Sequence, residues 1–251
     1  MPEKPIPIKT KEELALLRQA GKILSLISEE LKKYIREGMM TQEIDSKAAA
    51  LMTTHRVKSA FKGYRGFPGT ICVSVNDEVV HGIPGKRILK KGDIASIDVG
   101  IIADDYYSDT AFTIGISNID EKNRRLIEVT KDALEKGIEQ VKTGNHLSDI
   151  SFAIQGYVES SNFSVVRDFV GHGIGKMLHE EPEVPNFGLP HAGPMLKEGM
   201  VLAIEPMVNM GTWRTKIKDD GWTVITQDGE PSAHFEHTVA ITAAGPEILT
   251  R

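Results

Sequence analysis

Two acidic residues at matching positions of an internal repeat are the strongest indication of chemistry in this sequence. Segment 89–98 reads LKKGDIASID and segment 196–205 reads LKEGMVLAIE, so the two copies end on the carboxylates of Asp98 and Glu205. Each acid follows an apolar, strand-like run and is therefore expected to be buried. Because buried carboxylates need a partner, and one divalent cation can pair with several of them, the repeat predicts a metal site.

A second acid is predicted to lie beside Asp98. Asp109 follows it after a turn-like segment, 103–105, that separates two strand-like runs. A hairpin closed at this turn would place Asp98 and Asp109 opposite each other on one face, with Cβ atoms about 5 Å apart. The alternative is a solvated hairpin tip. The apolar neighbours on both sides of Asp98 favour a buried pair of acids around a cation.

Glu205 and Glu236 form a comparable pair in the second half. Their midpoint falls on the Asp-Gly dipeptide at 220–221, a strong hairpin signal, although a bulge in so long a hairpin would shift its register. Glu205 is the copy of Asp98, and SDTAFTI around Asp109 roughly matches FEHTVAI around Glu236. Two acids from each half are thus predicted to converge. Four carboxylates exceed what one small cation needs, which favours a two-metal site.

A glycine-rich loop supplies the histidine of this predicted site. His172 lies in VGHGIG at 170–175, after an apolar run. A phosphate-binding loop is disfavoured because Lys176 is followed by Met177 rather than Ser or Thr, and no clear helix follows. The glycines instead let the backbone pass close to a crowded site.

The donor set indicates which metals and which reaction to expect. Four carboxylates and one imidazole suit Mn²⁺, Fe²⁺ or Co²⁺, with Zn²⁺ as an alternative. His81, in VVHGIP, and His179, before two glutamates, are further candidates for the site. Uncoordinated histidines beside two metals indicate a metal-activated bridging water that attacks a carbonyl or phosphoryl centre, hence a metal-dependent hydrolase. We interpret three other histidines as ordinary surface or core residues: His55, His146 and His191.

Helices and strands follow the same order in both halves. Helical spacing begins at a capping box, 10–13, and ends at Gly38, and Thr41 is expected to cap a second helix. The second half repeats this plan with helices over 120–141 and 147–160. An α+β fold with a largely antiparallel sheet covered by helices is therefore predicted. The predicted strands cover 70–75, 94–102, 111–116, 164–170, 201–204 and 238–241.

The repeat also predicts the domain organisation. A weaker echo, GMMTQEI at 38–44 and GNHLSDI at 144–150, has an offset of 106 residues, against 107 for the first match. Two matches at nearly one offset predict a single domain, 1–251, made of related halves at roughly 10–117 and 118–251.

Composition disfavours several classes of protein. A net charge of −5 gives no reason to expect nucleic-acid or membrane binding. Cys72 is the only cysteine, which excludes an internal disulfide and a Cys-rich zinc module and fits a reducing compartment. The first residues do not form a signal peptide, and no apolar run reaches bilayer length. The expected location is cytoplasmic.

At these residues the chain closely resembles the type I methionine aminopeptidases, in their short bacterial form. The resemblance implies an α+β pita-bread fold, with two pseudo-symmetric halves around a dinuclear metal site. It also implies removal of the initiator methionine from nascent polypeptides whose second residue is small. The matching segments are CVSVNDEVVHGIP (72–84), GDIASIDVG (92–100), YYSDTAFT (106–113), GHGIGKMLHEEP (171–182), AIEPM (203–207), DGWTV (220–224) and FEHTVAIT (235–242).

The resemblance implies a role for each candidate residue. Asp109 and Glu236 would bridge the two metals, and Glu205 would also serve as general base. His81 and His179 would face the substrate, stabilise the tetrahedral intermediate and handle protons. The implied metal ligands are Asp98, Asp109, His172, Glu205 and Glu236. The implied methionine pocket, each member of which is also explicable as a core residue, is Phe61, Tyr64, Phe67, Cys72 and Trp222.

Two features depart from the family pattern, and two alternatives stay open. Phe61 stands where the family often has a smaller residue, and Gly100 replaces a Thr-like residue. An X-Pro aminopeptidase or prolidase is the alternative enzyme, although these usually carry a large N-terminal domain. A metal-free pita-bread binding module is the alternative of another class, but it would lack ligands. The resemblance further implies two divalent ions (Co, Mn, Fe or Zn), a monomer, and transient ribosome contact.

Overall fold

Four α-helices lie within residues 5–251, the part of the chain that the computed structural model describes. The first begins with the predicted capping box, in which Thr10 Oγ1 accepts the Glu13 N–H at 3.2 Å and Glu13 Oε2 accepts the Thr10 N–H at 2.9 Å. Thr41 does not cap the second helix, because its hydroxyl donates to the Gly85 carbonyl at 3.1 Å. The helices are α1 (Lys11–Tyr34), α2 (Thr41–Thr54), α3 (Glu121–Ile138) and α4 (Leu147–Ser160).

Most strands are short, and many were not predicted because two to four residues carry little periodicity. The predicted run over 164–170 is wrong, since only its first two residues pair. A 3₁₀ turn covers Tyr64–Gly66. The strands are β1 (Lys58–Ser59), β2 (Cys72–Val75), β3 (Glu78–Val80), β4 (Ile94–Ala103), β5 (Tyr106–Gly115), β6 (Ser164–Val165), β7 (Gly171–Gly173), β8 (Glu180–Val184), β9 (Val201–Ile204), β10 (Met207–Asn209), β11 (Thr215–Ile217), β12 (Val224–Thr226), β13 (Ser232–His234), β14 (Glu236–Thr242) and β15 (Gly245–Ile248).

One large antiparallel sheet runs through both halves. Its order is β1-β4-β5-β14-β9-β7-β8, with β2 also paired to β4 and β15 to β14. Two smaller sheets have the orders β13-β10-β6 and β11-β12-β3. The halves join where β5 pairs with β14, with Glu236 opposite Ala111. The antiparallel α+β architecture predicted from the sequence is confirmed.

The internal repeat is visible as repeated structure. Helices α2 and α4 have the same length and are offset by 106 residues, from 41 to 147 and from 54 to 160. Met40 forms an isolated antiparallel bridge with Ile88, and His146 forms the corresponding bridge with Met195. The same backbone contacts thus recur at the offsets seen in the sequence. The boundary between the halves at 117 and 118 stays a prediction.

Helices of each half cover the sheet with their own apolar core. Side chains of α1 and α2 pack with β2, β4 and β5, around fully buried Leu24, Ile27 and Ile97. Side chains of α3 and α4 pack with β9 and β14 around Leu126 and Ile154. Within residues 5–251, none of the helices has the length and apolar character needed to cross a membrane.

Candidate metal centre

The β4–β5 hairpin positions the first pair of acids. Its two-residue turn is Asp104-Asp105, both with positive φ (46° and 64°), the conformation that matches the twist of the flanking strands. Asp98 therefore pairs with Ala111, and Asp109 lies two residues earlier on β5. The prediction that Asp98 and Asp109 are directly opposite is wrong by two residues. Both still point to one face, because that shift preserves the strand period.

The second pair of acids follows the predicted register. Ile204 is opposite His237 at one end of a long hairpin, and Thr215 is opposite Thr226 near its tip. Both pairs are centred between residues 220 and 221, so no bulge changes the register between them. Glu205 follows the strand β9 and Glu236 begins β14, which brings the two glutamates together at the end of this ladder.

Ala111 is the small residue around which the acids gather. It pairs with Asp98 on one side and with Glu236 on the other, so three neighbouring strands present these residues in one row. Asp109 is fixed beside the row by Thr238, whose hydroxyl accepts the Asp109 N–H at 3.1 Å and donates to the Asp109 carbonyl at 2.8 Å. The acids from both halves therefore meet at the junction between the halves.

His172 completes the cluster with a defined tautomer. Its Nδ1 lies 2.9 Å from the Gly173 carbonyl, an acceptor, so Nδ1 carries the proton and Nε2 keeps its lone pair. Nε2 lies 3.6 Å from Glu205 Oε1. Potential ligand atoms of Asp109, His172 and Glu236 lie within 4.8 Å of one another. Asp98 and Glu205 fall outside that tightest group but line the same cavity.

Burial and mutual repulsion dominate the electrostatics of this cluster. Burial, and then the charge of Glu205, raise the pKa of Asp98 to about 8. The pKa of Asp109 lies well above its usual range because of burial and Asp98, and that of Glu205 because of burial and Asp109. Burial and the other three acids also raise the pKa of Glu236. Four acids that resist ionisation together are a site that a cation would stabilise.

The metal-free protein should become less stable as pH rises. Acids whose pKa is raised by folding stabilise the folded state below their unfolded pKa, near 4, and that contribution is lost as pH rises toward about 8 for Asp98. A net loss of about 3 kcal/mol would lower the Tm by roughly 6–12 °C for a chain of this size. We expect this fall between about pH 6.5 and pH 8 in a chelator, because below pH 6.5 the buried histidines, whose pKa values are lowered, offset the acids. Calorimetry measures the fall, and divalent metal should give a much flatter profile. A chelated protein whose Tm is constant or rises over this range would contradict the prediction.

A largely apolar cavity of about 270 Å³ adjoins the acids. All five predicted pocket residues line it. The rings of Phe67 and Trp222 meet edge to face with centroids 5.2 Å apart, and Trp222 reaches the cavity from the turn between β11 and β12. Further lining residues that the sequence did not single out are Val80, Phe169, Leu178 and Met207.

Phe61 shapes this cavity together with Gly100. A Cβ atom added at Gly100 would lie only 2.6 Å from Phe61 Cε1 and 2.9 Å from the Ala60 Cβ. The space that a side chain on β4 would occupy is therefore filled by the phenylalanine ring. The position of the Phe61 ring therefore requires a residue without a side chain at position 100.

Two histidines stand at the cavity beside the acid cluster. His179 Nδ1 lies 2.8 Å from the Tyr64 hydroxyl, and the His179 ring is 4.4 Å from the ring of His172. Burial and the positive charge of Arg65 lower the pKa of His179. Burial, and then His179, lower the pKa of His81 to about 4. Near neutral pH both rings are therefore mainly uncharged.

Sequence reasoning missed His234. It is buried, its Nε2 has no hydrogen-bond partner, and that atom lies 3.6 Å from Glu205 Oε2. Glu205 is thus flanked by His234 and His172. The signal that could have found it is its position two residues before Glu236, because alternate residues of an extended segment share a face. His55, His146 and His191 do not line the cavity.

The fold and the cluster together define a metal-dependent hydrolase, and comparison with known proteins identifies its family. The chain belongs to metallopeptidase family M24, whose sequence profile matches residues 15–243. The antiparallel sheet, the two halves and the acid cluster at their junction agree with the pita-bread fold predicted for it.

Among its relatives are several methionine aminopeptidases of full length. Methionine aminopeptidase 1 of Bacillus subtilis is 54% identical over 243 residues, which cover 97% of this chain and 98% of that protein. The crystal structure of a methionine aminopeptidase from Thermotoga maritima has a TM-score of 0.97 at 47% identity, with 98% of this chain and 100% of that chain covered. A prolidase from Pyrococcus horikoshii OT3 has a TM-score of 0.77 at 23% identity, covering 97% of this chain and 63% of its own, and shares the fold alone.

Proposed function

We propose that this protein removes the N-terminal methionine from polypeptides whose second residue is small. The observation that carries the proposal is an apolar cavity that ends on a cluster of four acids and one neutral imidazole. The names of relatives 43–54% identical to this chain support the same substrate. A metal-free binding module is disfavoured because every predicted ligand is present.

The residues of the cluster fit a pair of divalent cations. Asp98 Oδ1 and Glu236 Oε1 are buried without a hydrogen-bond partner, which is costly unless a cation satisfies them. Asp109 and Glu236 would serve both ions, and Co, Mn, Fe and Zn are the candidate metals. When bound, the ions would supply positive charge that polarises a carbonyl and promotes ionisation of water. The proposed ligands are Asp98, Asp109, His172, Glu205 and Glu236.

The protein residues around the cations bind the substrate and move protons. Phe67, Trp222 and the other apolar residues of the cavity hold the methionine side chain and exclude water from it. His179, oriented by the Tyr64 hydroxyl, donates a hydrogen bond to the carbonyl oxygen as negative charge develops on it. Glu205 would accept a proton from the attacking water, and His81, which lines the same cavity, would assist proton transfer to the leaving amine.

A substrate profile tests this function. We expect Met-Ala-Ser to be hydrolysed roughly 100-fold faster than Met-Leu-Ser, because a bulky second residue would clash beside the cations. Release of free methionine is measured by liquid chromatography, with an N-acetylated Met-Ala-Ser peptide as the control that should not be cleaved. Faster hydrolysis of Ala-Pro than of Met-Ala-Ser would favour the X-Pro alternative. A protein that binds no divalent metal under any loading condition would favour the binding module.

Three further properties stay predictions, the second drawn from composition and the other two from the resemblance. They are a monomeric state, a cytoplasmic location and transient contact with the ribosome. The single-domain division into halves at 10–117 and 118–251 also stays a prediction. Gel filtration tests the monomeric state, and limited proteolysis tests the single-domain division.

A further inference from the structure

A buried ion pair lies behind the segment that carries His179. The ammonium of Lys9 contacts the Glu180 carboxylate, and each side chain is only 5% exposed. Lys9 precedes α1, whereas Glu180 follows His179 directly in the chain. We propose that Lys9 and Glu180 are positioning residues for His179. Their ion pair, which we call the clamp, holds the backbone next to His179 in place. This inference rests on the proposed catalytic role of His179.

The carboxylate of Glu180 organises the segment before His179. Its Oε1 accepts the N–H of Lys176 at 2.8 Å and the N–H of Met177 at 3.2 Å, while Oε2 contacts Lys9. One side chain therefore holds two backbone groups of segment 175–180 and is itself held by a charge from elsewhere in the chain. Charge-assisted hydrogen bonds of this kind are stronger and more strictly oriented than neutral ones.

The partner in this clamp is fixed as well. The Lys9 N–H donates to the Gly199 carbonyl at 2.8 Å, which ties its backbone to the turn before β9. A Cβ atom added at Gly175 would lie 2.5 Å from Lys9 Nζ and 2.8 Å from Glu180 Oε1, so the ion pair packs directly on the bare backbone of the segment. The Gly175 carbonyl in turn accepts the Tyr107 N–H at 2.8 Å.

His179 needs such support because its ring, although partly desolvated, is not enclosed by the core. The residue is exposed at the rim of the cavity, and the Tyr64 hydroxyl at Nδ1 is the one side-chain hydrogen bond of its ring within residues 5–251. The orientation of the ring therefore depends on Tyr64 and on the position of the neighbouring backbone, which Glu180 holds. A displacement of about 1 Å at a catalytic group is enough to reduce turnover about 100-fold.

The test compares Lys9→Met with Lys9→Arg. We expect Lys9→Met to lower kcat for Met-Ala-Ser roughly 10- to 100-fold, with KM and bound metal nearly unchanged, because a misplaced His179 affects the transition state more than binding. Lys9→Arg should restore most of the rate. Arg18→Met, which breaks the half-exposed ion pair between Arg18 on α1 and Glu247 on β15, is the matched control and should keep the wild-type kcat.

A second measurement does not depend on activity. The Lys176 side chain is 68% exposed, and trypsin cleavage after it reports how firmly the segment is held. Cleavage should be at least several-fold faster in Lys9→Met than in the wild type or Arg18→Met, and it remains informative even if the wild type proves inactive on Met-Ala-Ser. Inactivity of the wild type would instead refute the proposed function.

The double variant Lys9→Met/Glu180→Gln guards against simple unfolding. This variant leaves no unpaired buried charge, so it should fold. The amide at position 180 has no ammonium group to hold it, so kcat should stay below the wild-type value. Wild-type kcat in either Lys9→Met protein would overturn the proposal. So would unchanged trypsin cleavage after Lys176, or a loss of kcat that only follows the loss of folded protein.

Discussion

Asp109→Asn is expected to fold normally but to lose at least one metal ion and nearly all activity. The amide is isosteric and can keep the hydrogen bond that Asp109 Oδ1 accepts from the Thr110 N–H at 3.0 Å. The backbone bonds of this residue to Thr238 are also unaffected. An amide carries no charge and is a poor bridge between two cations, so the shared site should fail. Mutation of residues that only hydrogen-bond to metal ligands typically lowers metal affinity or activity 10- to 100-fold. For a ligand itself, we therefore expect kcat/KM to fall by more than about 100-fold.

Metal content by mass spectrometry and hydrolysis of Met-Ala-Ser are the two measurements for this variant. Asp104→Asn is the matched control, because Asp104 is exposed in the turn of the same hairpin and its positive φ of 46° is well tolerated by asparagine. The control should retain both metal and activity. Full turnover by Asp109→Asn would show that a bridging carboxylate at 109 is not required.

The second large effect is expected for His179→Ala. Here kcat should fall roughly 10²- to 10⁴-fold, the usual contribution of a positioned proton donor or acceptor, while metal content stays near the wild-type value. The expectation differs from that for Asp109 because His179 stands at the rim of the cavity, hydrogen-bonded to Tyr64, rather than among the acids. The variant should therefore separate catalysis from metal binding.

Activity and bound metal are measured on the same preparation of His179→Ala. His191→Ala is the control, since the His191 side chain is 82% exposed and lies outside the cavity. It should behave as the wild type in both measurements. Comparable losses of activity and metal in His179→Ala would instead make His179 a ligand.

Much of the candidate site could be predicted because the informative residues are close in sequence or repeated. The repeat identified Asp98 and Glu205, and an Asp-Gly turn gave the correct register for Glu205 and Glu236. Local patterns of this kind depend on the strand period and on turn residues, both of which act over a few positions. The long helices were predicted for the same reason.

The sequence prediction failed for the pairing of strands β4 and β5, which depends on the position of their turn to within one residue. The turn was predicted one residue too early. When a hairpin turn moves by one residue, the partner of each strand residue changes by two positions, so Asp109 was predicted opposite Asp98 instead of Ala111. The error did not change the face on which the acids lie. Short strands such as β7 and β8 were also missed, because their pairing is decided by neighbouring strands rather than by their own residues.

The sequence by itself determined the acids, their common face, the two related halves and the class of chemistry. Only the tertiary structure decided which distant residues touch: Phe61 against Gly100, His234 beside Glu205, and Lys9 under Glu180, 171 positions away. Such contacts leave no periodic signal along the chain, because they arise when separate elements are packed against one another and the space and charge between them must be filled.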